Sequence, residues 1–160
     1  MIILGSQFPA NINKTLYRDF KDIHLVSEFS LPVRVYIEDT DAGGIVYYVN
    51  YLKFMERART ELLRLLGFSK PAVLEEGLLL VVHSAQIDYK SPAFLDDALD
   101  VTAELQHLGR THVIFRQRVL RAGQCLAEAH VKVACVTRSP MRAAALPKHF
   151  YNTIKEISGI

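Results

Sequence analysis

Glu38-Asp39-Thr40-Asp41-Ala42-Gly43-Gly44-Ile45-Val46-Tyr47-Tyr48-Val49-Asn50-Tyr51 joins a β-like run to a strongly patterned helical segment. Upstream, Val33, Val35 and Ile37 alternate with Arg34 and Tyr36, which predicts a first strand. Downstream, Tyr51, Phe54, Met55, Ala58, Leu62, Leu65 and Leu66 recur at the spacing of one helical stripe. Lys53, Glu56, Arg57, Arg59, Glu61 and Arg64 fall mostly off it. Asn50 can cap the start of this helix, and Gly67 is placed to stop it. A carboxylate on a loop just ahead of a helix N-terminus suits chemistry on a carbonyl. The acid can attack, or activate water, while unpaired N–H groups of the first turn hold the developing oxyanion.

The chain beyond the helix reads as strand. Leu78 to Tyr89 is long and rich in β-branched residues. Leu99, Val101, Ala103 and Leu105 alternate in the next segment, Val113 to Arg121 follows, and Ala127 to Cys135 alternates in a fourth. Lys148 to Ile157 predicts a closing helix with Phe150, Tyr151, Ile154 and Ile157 inward. The order β-α-β-β-β-β predicts an α+β fold, a five-stranded antiparallel sheet packed on one long helix. Its edges and second face are then free to pair with another subunit. Residues 1–31 show no sustained period and read as an N-terminal extension, with a short helix at most over Thr15 to Val26. Residues 32–160 form the predicted domain.

At 160 residues, half of them apolar and 22% charged, with mean hydropathy +0.13, the chain can bury a full core. The net charge of +2 argues against nucleic acid as a partner. Cys125 and Cys135 lie in one strand-like segment, where no hairpin would let them meet, so both are expected as reduced thiols in a cytoplasmic setting. The apolar start Met1 to Leu4 is too short for a signal segment, and no apolar run reaches the ~18 residues that span a bilayer. The spacing from Asp39 resembles the opening of a calcium loop. Its twelfth position is Asn50, where a bidentate Glu is needed, so no metal is expected. The histidines at 24, 83, 107, 112, 130 and 149 show no ligand spacing and are read as structural.

The residues from Asp39 through Glu61 resemble the signature of hotdog-fold acyl-CoA thioesterases, of the 4-hydroxybenzoyl-CoA thioesterase type and its YbgC-like (Tol-Pal-associated) subgroup. Ile87-Asp88-Tyr89-Lys90-Ser91-Pro92-Ala93, Asp96-Asp97 and Leu108-Gly109-Arg110-Thr111 extend the likeness, which covers about residues 33–150. The resemblance implies a hotdog fold, a sheet wrapped around the central helix. It also implies pairing into dimers or a homotetramer, with active sites at the subunit interface. It makes Asp41 the catalytic carboxylate and the backbone N–H of Tyr48 the oxyanion donor. Many YbgC-like members carry His at the position of Tyr48, so no histidine assists here. The expected reaction is hydrolysis of an acyl-CoA, or an acyl group on acyl carrier protein, without a cofactor.

A thioester needs little beyond a carboxylate and a place for negative charge, because its sulfur donates poorly into the carbonyl and leaves as a thiolate. Asp41 as nucleophile and Asp41 as general base both remain open. Gly43 and Gly44 let the loop turn tightly and the substrate approach the backbone. Together with Val46 and Tyr47 they are expected to line the substrate. Asp39 is assigned a structural role, and His83 is the histidine expected nearest the acyl pocket. Arg110 with Thr111, and Arg138 with Arg142, are candidates for the phosphates of coenzyme A at a dimer rim. Arg57 and Glu61 are spaced for a helical ion pair. Two other readings compete with hydrolysis. Hydratase chemistry on a hotdog sheet would want a His beside the acid. A non-catalytic acyl-binding or acyl-carrier-binding scaffold would tolerate the loss of Asp41.

Overall fold

The computed structural model describes residues 29–75 and 77–158. Strand β1 spans Phe29–Arg34, helix α1 Tyr48–Leu65, β2 Val73–Glu75, β3 Leu78–Tyr89, β4 Ala98–Leu108, β5 His112–Arg121, β6 Gln124–Thr137 and helix α2 Lys148–Ser158. The expected α+β architecture holds, with one correction. The sheet has six strands rather than five, in the antiparallel order β1-β4-β5-β6-β3-β2. The additional strand is β2, which pairs only with the first residues of β3, at Leu78 and Leu79. A segment this short carries no alternation to read.

β1 begins at Phe29 rather than near Pro32 and ends at Arg34. Pro32 lies inside it, which an edge strand tolerates because the missing N–H faces no partner. Val35 is fully buried, but Ile37 sits exposed in a 3-10 turn over Ile37–Asp39 and not in the strand. The helix expected over Thr15 to Val26 lies outside the described residues.

The α1 stripe folds as its spacing demands. Tyr51, Phe54, Met55, Ala58, Leu62 and Leu66 are buried, and the helix packs on β1, β4 and β5. Burying a large apolar side chain of this kind stabilises by about 1.5–3 kcal/mol. Gly67 follows the helix with φ +95°, the left-handed stop that glycine adopts without a Cβ penalty. Asn50 is not the cap. Tyr47 precedes the helix, and Asn50 is buried in the first turn. Arg59 is buried as well, although its charge suggested the solvent face. Its guanidinium donates to Oε1 of the fully buried Gln117 at 2.5 Å and pairs with Glu56. Arg57 does not pair with Glu61. Glu61 pairs with Arg64, and Arg57 lies over the Phe54 ring.

The ladders carry an extra residue at four places, Leu74 in β2, His83 in β3, Gln106 in β4 and Leu126 in β6, and such bulges bend and twist a sheet. The inward phases of β5 (Val113, Phe115, Gln117, Val119) and β6 (Ala127, Ala129, Val131, Val133, Cys135) face the core. α2 contributes Phe150 and Ile154, with Tyr151 and Ile157 partly buried beside them. Neither cysteine takes part in a disulfide among the described residues, and the Cys135 thiol donates to Ala145 O at 3.6 Å. No helix among the described residues is long and apolar enough to cross a membrane.

Candidate active site

The Asp41 loop is a closed turn. Gly44 N–H donates to Asp41 O at 3.0 Å and Asp41 N–H to Ile45 O at 2.9 Å. Gly44, at φ +76°, takes the left-handed residue that this hairpin form requires. The Asp41 side chain is exposed, and its Oδ1 accepts the Gly43 N–H at 2.7 Å.

Two sets of hydrogen bonds hold this turn against the helix start. On one side, Asp39 O accepts both Tyr47 N–H and Asn50 Nδ2–H at 2.9 Å, while Asp39 Oδ2 accepts the Tyr36 N–H. Asp39 is therefore spent on architecture. On the other side, Val46 N–H donates to Ala93 O at 2.9 Å, and Ala93 N–H donates to the Tyr51 hydroxyl at 2.9 Å. The segment after β3 and the helix thus grip the loop together.

At the helix start, the Tyr48 N–H has no acceptor among the described residues, and the positive end of the α1 dipole opens there. Tyr47, Tyr48 and Tyr89 stand in successive edge-to-face contacts, at 4.8 Å and 6.3 Å between centroids. A hydrogen bond with Tyr48 pushes the Tyr47 phenol up, and the nearby Asp41 charge adds to that. The carboxylate and the helix mouth therefore share one electrostatic neighbourhood.

Asp41, Gly43, Gly44, Tyr47 and the Tyr48 amide thus come together. Val46 joins the loop through its backbone, but its side chain is in the core. His83 lies at the bulge of β3, roughly 20 Å along the strand from Tyr89. It is near His112, whose imidazole is lowered by burial and by Lys132, His107 and His83. Arg110, Thr111, Arg138 and Arg142 gather at the opposite end of the sheet. There Arg138 N–H donates to Gly77 O, Leu146 N–H to Arg110 O, Cys135 N–H to Thr111 O, and Thr137 N–H to Arg142 O. Within one chain that end stands roughly 35 Å from Tyr89, the length of β3.

Sequence reasoning missed three polar groups here. Tyr51 was read as apolar stripe, Asn50 as a cap, and Tyr89 as the end of a strand. The Tyr89 hydroxyl donates to the Tyr48 carbonyl at 2.8 Å. Only the position of each residue beside a chain turn could have signalled a second use.

Beyond the site, a groove of about 460 Å³ runs between α1 and the sheet, lined by Val49, Leu52, Glu56, Val82, Ala85 and Val131 among others. It borders the side of β3 that β2 leaves open.

Comparison with known proteins bears on the family and the fold. The chain is 50% identical over 121 residues to the acyl-CoA thioesterase YbgC of Haemophilus influenzae, an alignment that covers 75% of this chain and 89% of that protein. It is 44% identical over 129 residues to the acyl-CoA thioester hydrolase YbgC of Escherichia coli, covering 80% and 96% respectively. The crystal structure of a 1,4-dihydroxy-2-naphthoyl-CoA thioesterase from Synechocystis superposes with a TM-score of 0.73 at 25% identity, over 79% of this chain and 95% of that one. A family model of the thioesterase superfamily matches residues 43–128, so the chain, with its hotdog sheet and central helix, belongs to the thioesterase superfamily.

Proposed function

We propose that this protein hydrolyses acyl-CoA thioesters to the free acid and CoA, with Asp41 as the reacting carboxylate. One observation carries the reading: the exposed Asp41 carboxylate stands on a braced turn ahead of the Tyr48 amide, which has no acceptor among the described residues, at the mouth of α1. The names of the YbgC relatives supply the substrate class.

Two routes fit. In one, an Asp41 oxygen adds to the thioester carbon, the C–S bond breaks, CoA thiolate leaves, and water opens the resulting anhydride. In the other, Asp41 takes a proton from water as the water adds to that carbon, the C–S bond then breaks, and the departing CoA thiolate takes up the proton that Asp41 holds. Either way the carbonyl oxygen gains negative charge that the Tyr48 N–H meets. One such donor is typically worth about 2.7–4 kcal/mol of barrier.

The phosphates of CoA need cations, and in one chain the candidate arginines are at the wrong end of the sheet. A second copy resolves this. From Val81 to Tyr89 the outer edge of β3 has no strand partner among the described residues, and so long an open edge invites pairing. If two copies join antiparallel along β3 about a two-fold axis near Ala85, the middle of that open edge, Tyr89 of one lies beside Val81, near the start of β3, in the other. Arg110, Thr111, Arg138 and Arg142 of the second copy then flank the Asp41 turn of the first, and the groove beside α1 receives the second helix. The oligomer is thus a dimer or a tetramer built from it. Acyl carrier protein is a further carrier that the same cations suit.

The test is the release of CoA from a series of acyl-CoAs by the intact protein and by Asp41→Asn. The expected result is loss of turnover with substrate affinity kept. Near-wild-type turnover in Asp41→Asn refutes the assignment.

A further inference from the structure

Tyr89 is the last residue of β3, and its hydroxyl reaches across to the main-chain carbonyl of Tyr48 at 2.8 Å. That carbonyl belongs to the first residue of α1, where the helix ladder already offers it an N–H partner one turn on. The phenol therefore takes the carbonyl's second lone pair. It adds a restraint that the helix itself does not need for satisfaction.

The ring is held to make that bond. It packs edge-to-face on Tyr51 at 5.5 Å and on Tyr48 at 6.3 Å, and Tyr51 is itself buried and tied to Ala93. Helix mouth, strand end and the Asp41 turn thereby form one braced unit. Burial, with the Tyr48 and Tyr51 phenols beside it, pushes the Tyr89 phenol up, so the proton it donates stays in place at neutral pH.

Two consequences follow for the helix mouth. Holding the carbonyl of residue 48 restrains that residue's rotation, which keeps its own N–H directed out of the helix. A hydrogen bond accepted by the same carbonyl also polarises the peptide it shares with Val49, in the first turn of the helix. We propose that Tyr89 is a positioning residue for the oxyanion site, acting through its hydrogen bond to the Tyr48 carbonyl. This rests on the hydrolase reading above.

Tyr89→Phe keeps the ring and removes the donor. The expected result is a kcat lowered about tenfold at unchanged KM and unchanged melting temperature, the size of one lost hydrogen bond felt only in the transition state. A spectroscopic readout separates positioning from packing. With an acyl-CoA bound to Asp41→Asn, the thioester carbonyl stretch should fall below that of free substrate. In Asp41→Asn/Tyr89→Phe it should move back toward the free value. Wild-type kcat with an unmoved carbonyl band overturns the proposal. So does a loss of rate that comes with a lower melting temperature and a raised KM, which marks general loosening. An intact protein that releases no CoA from any acyl-CoA instead removes the hydrolase reading, and full turnover in Asp41→Asn removes only the role of Asp41; the Tyr89 measurements mimic neither result.

Discussion

Gly43 donates its N–H to Oδ1 of Asp41 at 2.7 Å, and a Cβ placed on Gly43 would stand 3.1 Å from that same oxygen. The absence of a side chain at 43 thus lets the backbone hold the carboxylate from below. In Gly43→Ala the carboxylate must turn or the loop must shift by a few tenths of an ångström. Misplacement of a reacting group is costly out of proportion to its size, so kcat should fall about 10- to 100-fold. The loop is exposed, and the melting temperature should barely change. Steady-state kinetics beside thermal denaturation checks both halves, and an unchanged kcat would show that the carboxylate tolerates the displacement.

Arg59 and Gln117 couple the centre of α1 to β5. The Gln117 side chain is fully buried, with Nε2 donating to Met55 O at 2.9 Å and Thr102 O at 3.1 Å while Oε1 accepts from Arg59. Burial lowers the Arg59 guanidinium from its ordinary value, and Glu56 offsets this. Arg59→Met leaves Gln117 Oε1 in the core without its donor, at a cost of about 1–3 kcal/mol. The double variant Arg59→Met/Gln117→Met should recover part of that loss, since replacing both partners removes the orphaned acceptor. Chemical denaturation of the three proteins tests this, and strictly additive losses would show that the two side chains do not act as a pair.

That pair also marks where legibility ends. The stripe of α1 and the bounds of β3 were readable because burial imposes a period, and Leu78 to Tyr89 is the strand the structure contains. Gln117 could have been flagged, since it stands in the inward phase of β5 between Phe115 and Val119. Its partner could not, because position 59 looks solvated until a strand nearly sixty residues away supplies an acceptor. β2 escaped for a related reason, as its existence depends on the edge that β3 offers it. At the candidate site, the turn at Asp41, Gly43 and Gly44 was legible from local turn chemistry. The tyrosine braces were not, since both reach between segments remote in sequence.

Glu128 gives the fold an acid-sensitive contact. Hydrogen bonds from Lys90 at 2.9 Å and Arg116 at 2.7 Å push its carboxyl down from 4.5 to about 2. A carboxyl lowered on folding contributes fully above its unfolded value. The contribution fades as pH falls from about 4.5 towards 2, because the unfolded chain takes up the proton first. Glu128 is itself 20% exposed and both cations are more open, so water screens the pairs and keeps their contribution small. Glu128→Gln should be slightly less stable at neutral pH, and the gap should close through that window. Denaturation curves at stepped pH read this directly, and a gap that persists at pH 2 would assign the stabilisation to something other than charge.

Val82 brings the oligomer within reach of a single substitution. It is 51% exposed on β3 and lines the groove beside α1, where an isolated chain gains nothing from an aliphatic side chain. Covered by a second copy, it is buried on both sides. Val82→Asp places a charge in that groove without touching the Asp41 turn, so the folded chain should persist as a monomer. If the cations for CoA come from the second copy, this monomer should also lose most of its turnover through a raised KM. Light scattering gives the mass and saturation kinetics the KM. A monomer with wild-type KM would place the phosphate site within one chain, whereas an unchanged oligomer would move the subunit contact away from β3.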